Sequence, residues 1–509
     1  MSRNGQLEIV ISNSRGNMED QLFMEQWYAQ YQADNPEKFN TAFIYNKGSS
    51  ENMKDIIAHV SKAMESTGHV KYLDCTIEED ESKFSDIHKI EESRLYEATI
   101  RFKIFCVEDG KNQEEEVAIK LLLPRVINNF FFKINGIMYY AIYQMIDRGT
   151  YAVGNNTIGL KTMLMPFVIR RKEEMFRDTD GAEYRNRIME LDVFRRTVNI
   201  MLYYISDGGW DQTLRFFGVE NFISVVDKKE EDKEEFAYFE VGKNFWLKAS
   251  REFLATDKWI MGCLVSLLSK ARFTSLEDLQ NHDFWNFQLG KIYTTTKEQA
   301  INKADKIHTS VRRILDGCTS DNMVHVLPKD KKSIYHLFRW ILWYYDDLIR
   351  EDNMDIKNKR LRLNEYVLYP FIKKLSTETY RCLNTRKVTM KILRSMFSNI
   401  KPNICLKQLV TNELLRFANG VNGIELFSAA MKITQAGPQG LTNRDNVPMR
   451  YRGIHDSYVG VLDLAFSSAD DPGITASLVP FVKTDGLFFD RTVKYVTPKL
   501  PEVFIPIGK

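Results

Sequence analysis

A turn rich in glycine and proline, followed by arginines, is the part of this sequence whose residue types best suit phosphate binding. A helical pattern ends near Lys432 and is broken by Gly437, Pro438 and Gly440. Proline cannot continue a helix, and glycine accepts positive φ angles and lets the backbone approach a partner closely. Residues 437–440 therefore predict a tight turn that exposes its backbone.

Three arginines follow this turn: Arg444, Arg450 and Arg452. Arg450 and Arg452 stand two residues apart in a predicted strand, where side chains at that spacing share one face. A basic turn of this kind suits phosphate contact. An ordinary surface loop with scattered arginines is the alternative that the spacing alone leaves open.

The composition is that of a large globular protein without an overall charge preference. At 509 residues, the chain is long enough for two or three domains. Its hydrophobic content of 44% and aromatic content of 12% argue against disorder. Because 70 basic residues are balanced by 68 acidic ones, any nucleic-acid-binding surface must be local, with acidic faces elsewhere.

Cysteine usage and hydropathy indicate a soluble, intracellular protein. The six cysteines lie far apart, with no Cys-x-x-Cys pair and no matching histidine spacing, which argues against a zinc site and against a disulfide framework. The N-terminus has no apolar signal core, and no run reaches the apolar length that spans a bilayer. We therefore expect a protein of a reducing cytosol without a membrane partner.

The secondary-structure patterns predict an α+β, multi-module fold that contains an antiparallel sheet with helices. The dipeptides Asp109-Gly110 and Asn135-Gly136 each separate two β patterns, and Asn-Gly favours the type I′ hairpin turn. Residues 157–363 are predicted to be mostly helical with a β insertion at 236–247. Helical spacing of apolar residues is found at 189–205, at 366–430, and at 333–349, which is so aromatic that burial on most faces is expected.

Three stretches resemble, in order and at nearly the family's spacing, the fork region of the second-largest (β) subunit of multisubunit DNA-directed RNA polymerases. In that family a basic helix end runs into Leu-Gly-Pro-Gly-Gly-Leu. An Arg-Asp-Val-His-Pro-Thr-His-Tyr-Gly-like strand follows, and then a loop that ends in Gly-Leu-Ile-Asn-Ser-Leu. The similar residues here are Ala-Gly-Pro-Gln-Gly-Leu at 436–441, Arg-Gly-Ile-His-Asp-Ser-Tyr-Val-Gly at 452–460, and Gly-Ile-Thr-Ala-Ser-Leu at 473–478.

Residues 132–149 resemble a β-subunit hairpin, Phe-Val-Ile-Asn-Gly followed by Ser-Gln and Arg-Ser-Pro-Gly. Phe-Lys-Ile-Asn-Gly stands at 132–136, but the family's Glu after Asn-Gly and its Ser-Pro are missing. The hairpin is therefore expected to be kept. For Gln144 and Arg148, a polar pair at a strand end remains the alternative to nucleic-acid contact.

Residues 351–365 resemble the β-subunit motif Asp-Asp-x-Asp-His-x-Gly-Asn-(Lys/Arg)-Arg, although the His and the Gly are absent. Four cations fall within six residues here: Lys357, Lys359, Arg360 and Arg362. Such a cluster favours a nearby phosphate chain and makes its binding salt-dependent. The alternative is a solvated basic turn that is salt-bridged to Glu351, Asp352 and Asp355.

The resemblance implies the N-terminal fragment of a split β subunit, similar to those of giant tailed bacteriophages. Its implied parts are a protrusion-like domain at 1–150, a mostly helical lobe-like domain at 151–365, a helical return to the protrusion at 366–430, and a β-rich fork-like region at 431–509 that leads to the split point. They would form one jaw of the cleft for DNA and the RNA–DNA hybrid. The implied nucleic-acid contacts are Lys359, Arg360, Arg362, Lys432, Arg444, Arg450 and Arg452, and the implied fork-loop backbone is that of Gly437, Pro438 and Gly440.

The same resemblance implies partners and a location. The protein partners are a C-terminal β fragment, β′-like subunits that hold Mg²⁺, and a further subunit for promoter specificity; the ligands are template DNA, the RNA–DNA hybrid and nucleoside triphosphates. We expect action in the cytoplasm of the infected bacterial host, with packaging in the virion left open. The family's His-Lys-Arg-Arg at the rifamycin pocket is Ala-Ala-Met-Lys at 429–432 here, so we predict a rifamycin-resistant polymerase.

No catalytic residue or metal ligand is predicted within this chain. Two-metal nucleotidyl transfer needs clustered carboxylates, and for the Asp-Thr-Asp-Gly sequence at 178–181 a turn or helix boundary is the favoured interpretation. His455 is expected to be a strand residue with local hydrogen bonds. The alternatives to a polymerase subunit are a phage structural or scaffold protein and a self-contained nucleic-acid enzyme that uses Asp178 and Asp180.

Overall fold

The computed structural model describes most of the chain between residues 50 and 489. The described ranges are 50–79, 93–312 and 333–489, apart from gaps at 109, 128–130, 148, 163–165, 230–234, 363, 386, 411–413, 419–428, 430, 438–439, 442–446, 448, 467–471, 480–483 and 486–487. Predictions for the N-terminal 49 residues, for Arg148, for Pro438 and for Arg444 therefore lie outside the described residues.

The strands are distributed over the whole described length. In chain order they are β1 (Val70–Glu78), β2 (Leu95–Glu108), β3 (Lys111–Pro124), β4 (Val126–Ile127), β5 (Phe131–Ile134), β6 (Ile137–Ala141), β7 (Tyr143–Asp147), β8 (Thr150–Gly154), β9 (Thr157–Leu160), β10 (Phe167–Arg177), β11 (Glu183–Val193), β12 (Arg196–Asn199), β13 (Ile223–Val226), β14 (Phe236–Gly242), β15 (Phe245–Ser250), β16 (Lys359–Arg362), β17 (Leu415–Phe417), β18 (Lys432–Thr434), β19 (Leu462–Asp463), β20 (Thr475–Leu478), β21 (Thr484–Asp485) and β22 (Phe488–Phe489).

Most of the helices lie between residues 200 and 410. The helices are α1 (Ser50–Lys62), α2 (Ile200–Gly208), α3 (Trp210–Phe217), α4 (Arg251–Thr256), α5 (Ile260–Ala271), α6 (Glu277–Gln280), α7 (His282–Gly290), α8 (Lys297–Arg312), α9 (Ile334–Trp343), α10 (Tyr345–Arg350), α11 (Asn364–Asn384), α12 (Met390–Ser398), α13 (Ile404–Val410) and α14 (Met449–Arg452). In the described part of the chain, no helix is long and apolar enough to cross a membrane.

Both predicted hairpins are confirmed, and so is the α+β class. Glu108 pairs with Lys111 across the Asp-Gly turn between β2 and β3. Between β5 and β6, Asn135 has φ 52° and Gly136 has φ 79°. Two consecutive positive φ angles define the type I′ turn that Asn-Gly favours, because its twist matches that of the paired strands.

The strands form five sheets, most of whose pairings are antiparallel. Their strand orders are β1-β2-β3, β12-β11-β10-β9-β8, β13-β15-β14, β17-β6-β5-β4 and β19-β20-β18-β7-β16-β22-β21. In the last of these sheets β18 runs parallel to β7. This seven-stranded sheet contains strands from distant parts of the chain, so it is the element that brings separate sequence motifs together.

The buried apolar residues form two main cores. The first core takes residues from Met53 to Met145 and again from Met354 to Leu478, while the second runs from Ile158 to Leu348. The chain therefore leaves the first core after β7 and returns to it just before β16. The names protrusion, lobe and fork for these parts stay predictions.

Residues 157–363 contain more sheet than the sequence patterns indicate. The stretch 189–205, which has apolar residues at helical spacing, ends β11, forms β12 and becomes helical only at Ile200. Met189, Leu191 and Val193 are buried at a spacing of two, which is the strand period. The aromatic stretch 333–349 also differs from expectation, because Trp343 and Tyr344 are half exposed.

Candidate functional site

Three motif stretches that are far apart in the sequence become neighbouring strands of the seven-stranded sheet. β16, from the basic motif, pairs with β7, from the hairpin motif, so that Arg362 lies opposite Gln144. On the other side of β7 lies β18, which leads into the glycine turn, and β18 pairs in turn with β20. The sheet thus places the hairpin, the basic motif and the fork-like stretches side by side.

The turn that follows β18 requires glycine at two positions. Gly437 has φ 119°, in the region that residues with a Cβ rarely adopt. A Cβ on Gly440 would lie 2.5 Å from the carbonyl oxygen of Gln435 and 2.7 Å from Nε2 of Gln144. The turn is closed by backbone hydrogen bonds from the Gly437 amide to the Leu441 carbonyl and from the Gly440 amide to the Gly437 carbonyl, at 3.1 and 3.0 Å.

Gln144 is the fully buried side chain on which this turn rests. Its Nε2 donates to the carbonyl oxygen of Ala436 at 3.1 Å, and its Oε1 accepts from Nε of Arg362 at 2.7 Å. A primary amide can donate and accept at once, so one side chain ties the basic motif to the glycine turn. Since both bonds are buried, breaking either leaves a polar group without its partner at a cost of about 1–3 kcal/mol.

A second buried contact, centred on Asp147 at the end of β7, lies beside this one. Lys359 Nζ approaches Asp147 Oδ1 at 2.6 Å and Gln435 Oε1 at 3.4 Å, and Lys161 Nζ lies 3.0 Å from Asp147 Oδ2. Gln435 in turn donates to the carbonyl oxygen of Gly473 at 2.7 Å. Burial alone would raise the pKa of Asp147, but the two lysines hold that pKa below its ordinary value.

Arg360 is held in a buried ion pair of its own. Its two terminal nitrogens lie 2.9 and 3.0 Å from the two carboxylate oxygens of Glu365. This is the bidentate geometry in which arginine and carboxylate interact most strongly. Of the salt bridges expected in a solvated basic turn, the structure contains the one from Lys357 to Asp355, at 2.9 Å.

The position of the three predicted contacts in the basic motif needs correction. Lys359, Arg360 and Arg362 are at most 5% exposed, and their charged ends contact Asp147, Glu365 and Gln144 within the chain. Direct phosphate contact by these residues does not fit this geometry, because each would have to give up a buried partner first. Lys359 and Arg362 instead support the glycine turn from inside the protein.

Arg450 and Arg452 are not in a strand, contrary to the prediction. Met449–Arg452 forms a single helical turn, and positions two apart in a helix do not share a face. Arg452 Nε donates to the carbonyl oxygen of Val447 at 3.3 Å. Lys432 is half-buried in β18. Nucleic-acid contact by Lys432, Arg444, Arg450 and Arg452 stays a prediction.

His455 makes the local hydrogen bonds that were predicted, although it precedes a short 3-10 helix rather than lying in a strand. Its Nδ1 lies 2.7 Å from Ser457 Oγ, and its Nε2 lies 3.2 Å from Asp352 Oδ2. Ser457 Oγ also accepts from the backbone amide of Ile356 at 2.9 Å. These contacts join the second fork-like stretch to the basic motif.

The Asp-Thr-Asp-Gly sequence is a hairpin turn between β10 and β11, as predicted. Asp178 Oδ1 accepts from the amides of Asp180 and Ala182 at 3.0 and 2.8 Å, and Gly181 has φ 87°. The carboxylate of Asp178 is therefore used to close the turn. Across the described residues, no group of three or more His, Cys, Asp or Glu side chains could hold a metal ion.

Sequence reasoning missed the polar residues that complete the buried contacts around Gln144, Lys359 and Arg360. They are Asp147, Lys161, Glu365 and Gln435. Asp147 ends a strand and Gln435 precedes a glycine turn, and neither context has a local pattern that indicates a buried partner. Gln144 and Ala436 are 292 positions apart, so their contact follows only from the folded sheet.

Taken together, the geometry defines a multi-module α+β protein in which the stretches that resemble a polymerase subunit form one continuous, internally braced sheet and turn. A family model described as "Non-virion RNA polymerase subunit" matches residues 22–489. The chain belongs to this family: it is a subunit of a phage RNA polymerase, a nucleotidyltransferase complex in which it works with other polymerase subunits. Comparison with curated proteins gave no match.

Proposed function

We propose that this subunit is the N-terminal fragment of a split β-like subunit and forms one jaw of the cleft that holds DNA and the RNA–DNA hybrid. The observation that carries the proposal is the meeting of the hairpin, the basic motif and the glycine turn around Gln144, Arg362 and Lys359. These are the stretches that resemble the β subunit. Their contact in one buried network supports a common task for them.

In this proposal the network acts by positioning. A turn whose backbone is fixed by buried contacts holds its flanking cations in one geometry, so little reorganisation is needed when a phosphate arrives. Lys432, Arg444, Arg450 and Arg452 are the cations that we assign to phosphates or to the incoming nucleotide. Phosphate contacts of this kind position the nucleic acid and do not read its sequence.

The chemistry of the reaction is assigned to partners. A β′-like subunit would hold the Mg²⁺ that activates and orients the reacting oxygens. A C-terminal β fragment would complete this half of the enzyme, and a further subunit would supply promoter specificity. This chain would contact nucleic acid, nucleoside triphosphates and the other subunits, and it would do so in the cytoplasm of the infected host.

Affinity purification of the tagged chain from infected cells tests this assignment. We expect it to bring down a second chain that continues the β-like sequence and chains with an Asp-Phe-Asp-Gly-Asp-like motif, and we expect the eluate, but not the isolated chain, to synthesise RNA from a DNA template with Mg²⁺. Particle-like assemblies without such chains, or RNA synthesis by the isolated chain, would contradict the assignment.

A further inference from the structure

Two exposed aromatic residues form a surface at the end of α9, next to residues of the second core and distant in sequence from the glycine turn. Trp343, at the end of α9, is 52% exposed, and the adjoining Tyr344 is 50% exposed. Each ring is supported from one side: Trp343 packs edge-on against Trp259, with 6.4 Å between ring centroids, and Tyr344 lies 5.4 Å from Trp340. Two large rings are thus held in fixed orientations with part of their surface open.

The groups beside these rings are mainly cationic. Asp346, three residues after Trp343, is contacted by Arg171 and Arg187 at 2.8 Å each and by Lys258 at 3.8 Å. Three positive charges therefore surround one carboxylate. The side chain of Lys258 is mostly exposed, and it precedes Trp259, which supports Trp343.

Further charges near this surface leave the excess positive. Arg339 lies on the same helix as Trp343 and packs over the ring of Phe216 at 4.9 Å. Asp347 is exposed on α10. Glu173 approaches Arg187 at 3.9 Å, but it is also ion-paired with Arg185. Asp257, whose carboxylate accepts from the amides of Ile260 and Met261, adjoins Lys258. Among the charged groups near this surface, five cations therefore outnumber four carboxylates: Arg171, Arg185, Arg187, Lys258 and Arg339 against Asp257, Asp346, Asp347 and Glu173.

We propose that this surface, formed by Trp343, Tyr344 and Lys258, binds single-stranded nucleic acid. Exposed, well-supported rings offer faces on which bases stack, and a neighbouring excess of cations attracts the phosphate chain. Paired bases are already stacked on one another, so a duplex does not offer their faces to these rings. The choice of nucleic acid as the ligand rests on the proposed function, whereas the surface itself is defined by these contacts alone.

Equilibrium binding of the full-length purified chain to a fluorescent 20-nucleotide oligo(dT) and to a 20-base-pair duplex tests the proposal. We expect Trp343→Ala to weaken oligo(dT) binding about tenfold, the size of one lost base–aromatic stack, and to change duplex binding little. Trp343→Phe, which keeps a stacking ring, should retain most of the affinity. Lys258→Ala should reduce the slope of log affinity against log salt by about 0.7, the value for one phosphate contact on a single strand.

Phe222→Ala is the matched control, because Phe222 is a partly exposed ring that stacks on Phe253 elsewhere in the second core. Its oligo(dT) affinity should equal that of the wild type. Unchanged binding by Trp343→Ala, an equal loss in Phe222→Ala, or loss of a co-purifying protein from Trp343→Ala without any change in oligo(dT) binding would each overturn the proposal. Because this assay uses the chain alone, it can fail while the chain still co-purifies with polymerase subunits, so the two proposals are separable.

Discussion

Replacing Gln144 by leucine is the change that isolates the support of the glycine turn. Leucine has a similar volume but neither donates nor accepts, so Gln144→Leu removes the bond to the Ala436 carbonyl and the bond from Arg362 together. A buried amide–carbonyl bond is worth about 1 kcal/mol and a bond to a charged group about 1.5–3 kcal/mol. The expected loss is therefore about 2–4 kcal/mol.

Amide hydrogen exchange measures where this loss is felt. The amides of Gly437, Gly440 and Leu441 are hydrogen-bonded within the turn, and they exchange when the turn opens. If about 2 kcal/mol of the loss falls on this local opening, exchange at these amides should accelerate about 30-fold, since each 1.4 kcal/mol is a factor of ten.

Gln288→Leu provides the control for the general effect of losing a buried glutamine. Gln288 is buried in the second core and donates to the carbonyl oxygen of Ala271 at 3.0 Å. This variant should lower the urea midpoint of unfolding while leaving exchange in the turn unchanged. The reasoning is refuted if Gln144→Leu leaves the turn as protected as in the wild type, or if both variants accelerate its exchange equally.

Three other expectations concern buried charge and drug binding. Asp147→Asn should destabilise the chain by about 3–5 kcal/mol in urea unfolding, because it leaves the buried Lys359 and the half-buried Lys161 without their shared carboxylate. The pKa of Asp147 is lower in the folded chain than in the unfolded one. The ionised Asp147 therefore stabilises the fold above the ordinary aspartate pKa, and this stabilisation is lost as pH falls through the lowered folded-state pKa. The loss of stability in acid should be smaller in Asp147→Asn. Burial lowers the pKa of His308 to about 4. The free energy of unfolding of the wild type should therefore fall between about pH 6.5 and pH 4, because the unfolded chain takes up the proton first. His308→Phe should show a smaller fall in urea titrations at several pH values. The purified polymerase should keep its activity at rifamycin concentrations that stop an ordinary bacterial enzyme, given residues 429–432, and inhibition there would show that the prediction is wrong.

Features that depend on local backbone chemistry could be predicted from the sequence. The Asn135-Gly136 turn follows from the low cost of positive φ at these two residue types. The same is true of the turn closed by Asp178, whose side chain bonds amides within four residues of itself. Both features need no information from the rest of the chain.

Features that depend on long-range packing could not be predicted. The cations of β16 have the composition of an exposed basic turn, and only their pairing with β7 shows that Arg362 is buried against Gln144, 218 positions away. The stretch around Met189 fits both a helical and a strand period, and its pairing with β10 decides for the strand. Arg450 and Arg452, which the sequence predicts in a strand, lie in the helical turn Met449–Arg452 instead, because a spacing of two positions is too short to establish a period.

The central claim is that the region after the glycine turn faces nucleic acid. Photo-cross-linking from Met449 tests this claim most directly. Met449 is 84% exposed and adjoins Arg450, and a photoreactive residue there, in a polymerase stalled on a template, should cross-link to DNA or RNA. Val107 is the control, because it is 64% exposed but lies at a hairpin end near the acidic run 114–116, which repels phosphate. Cross-links from Met449 and not from Val107 are the predicted result, and a stalled, active complex without any cross-link from Met449 would contradict the account.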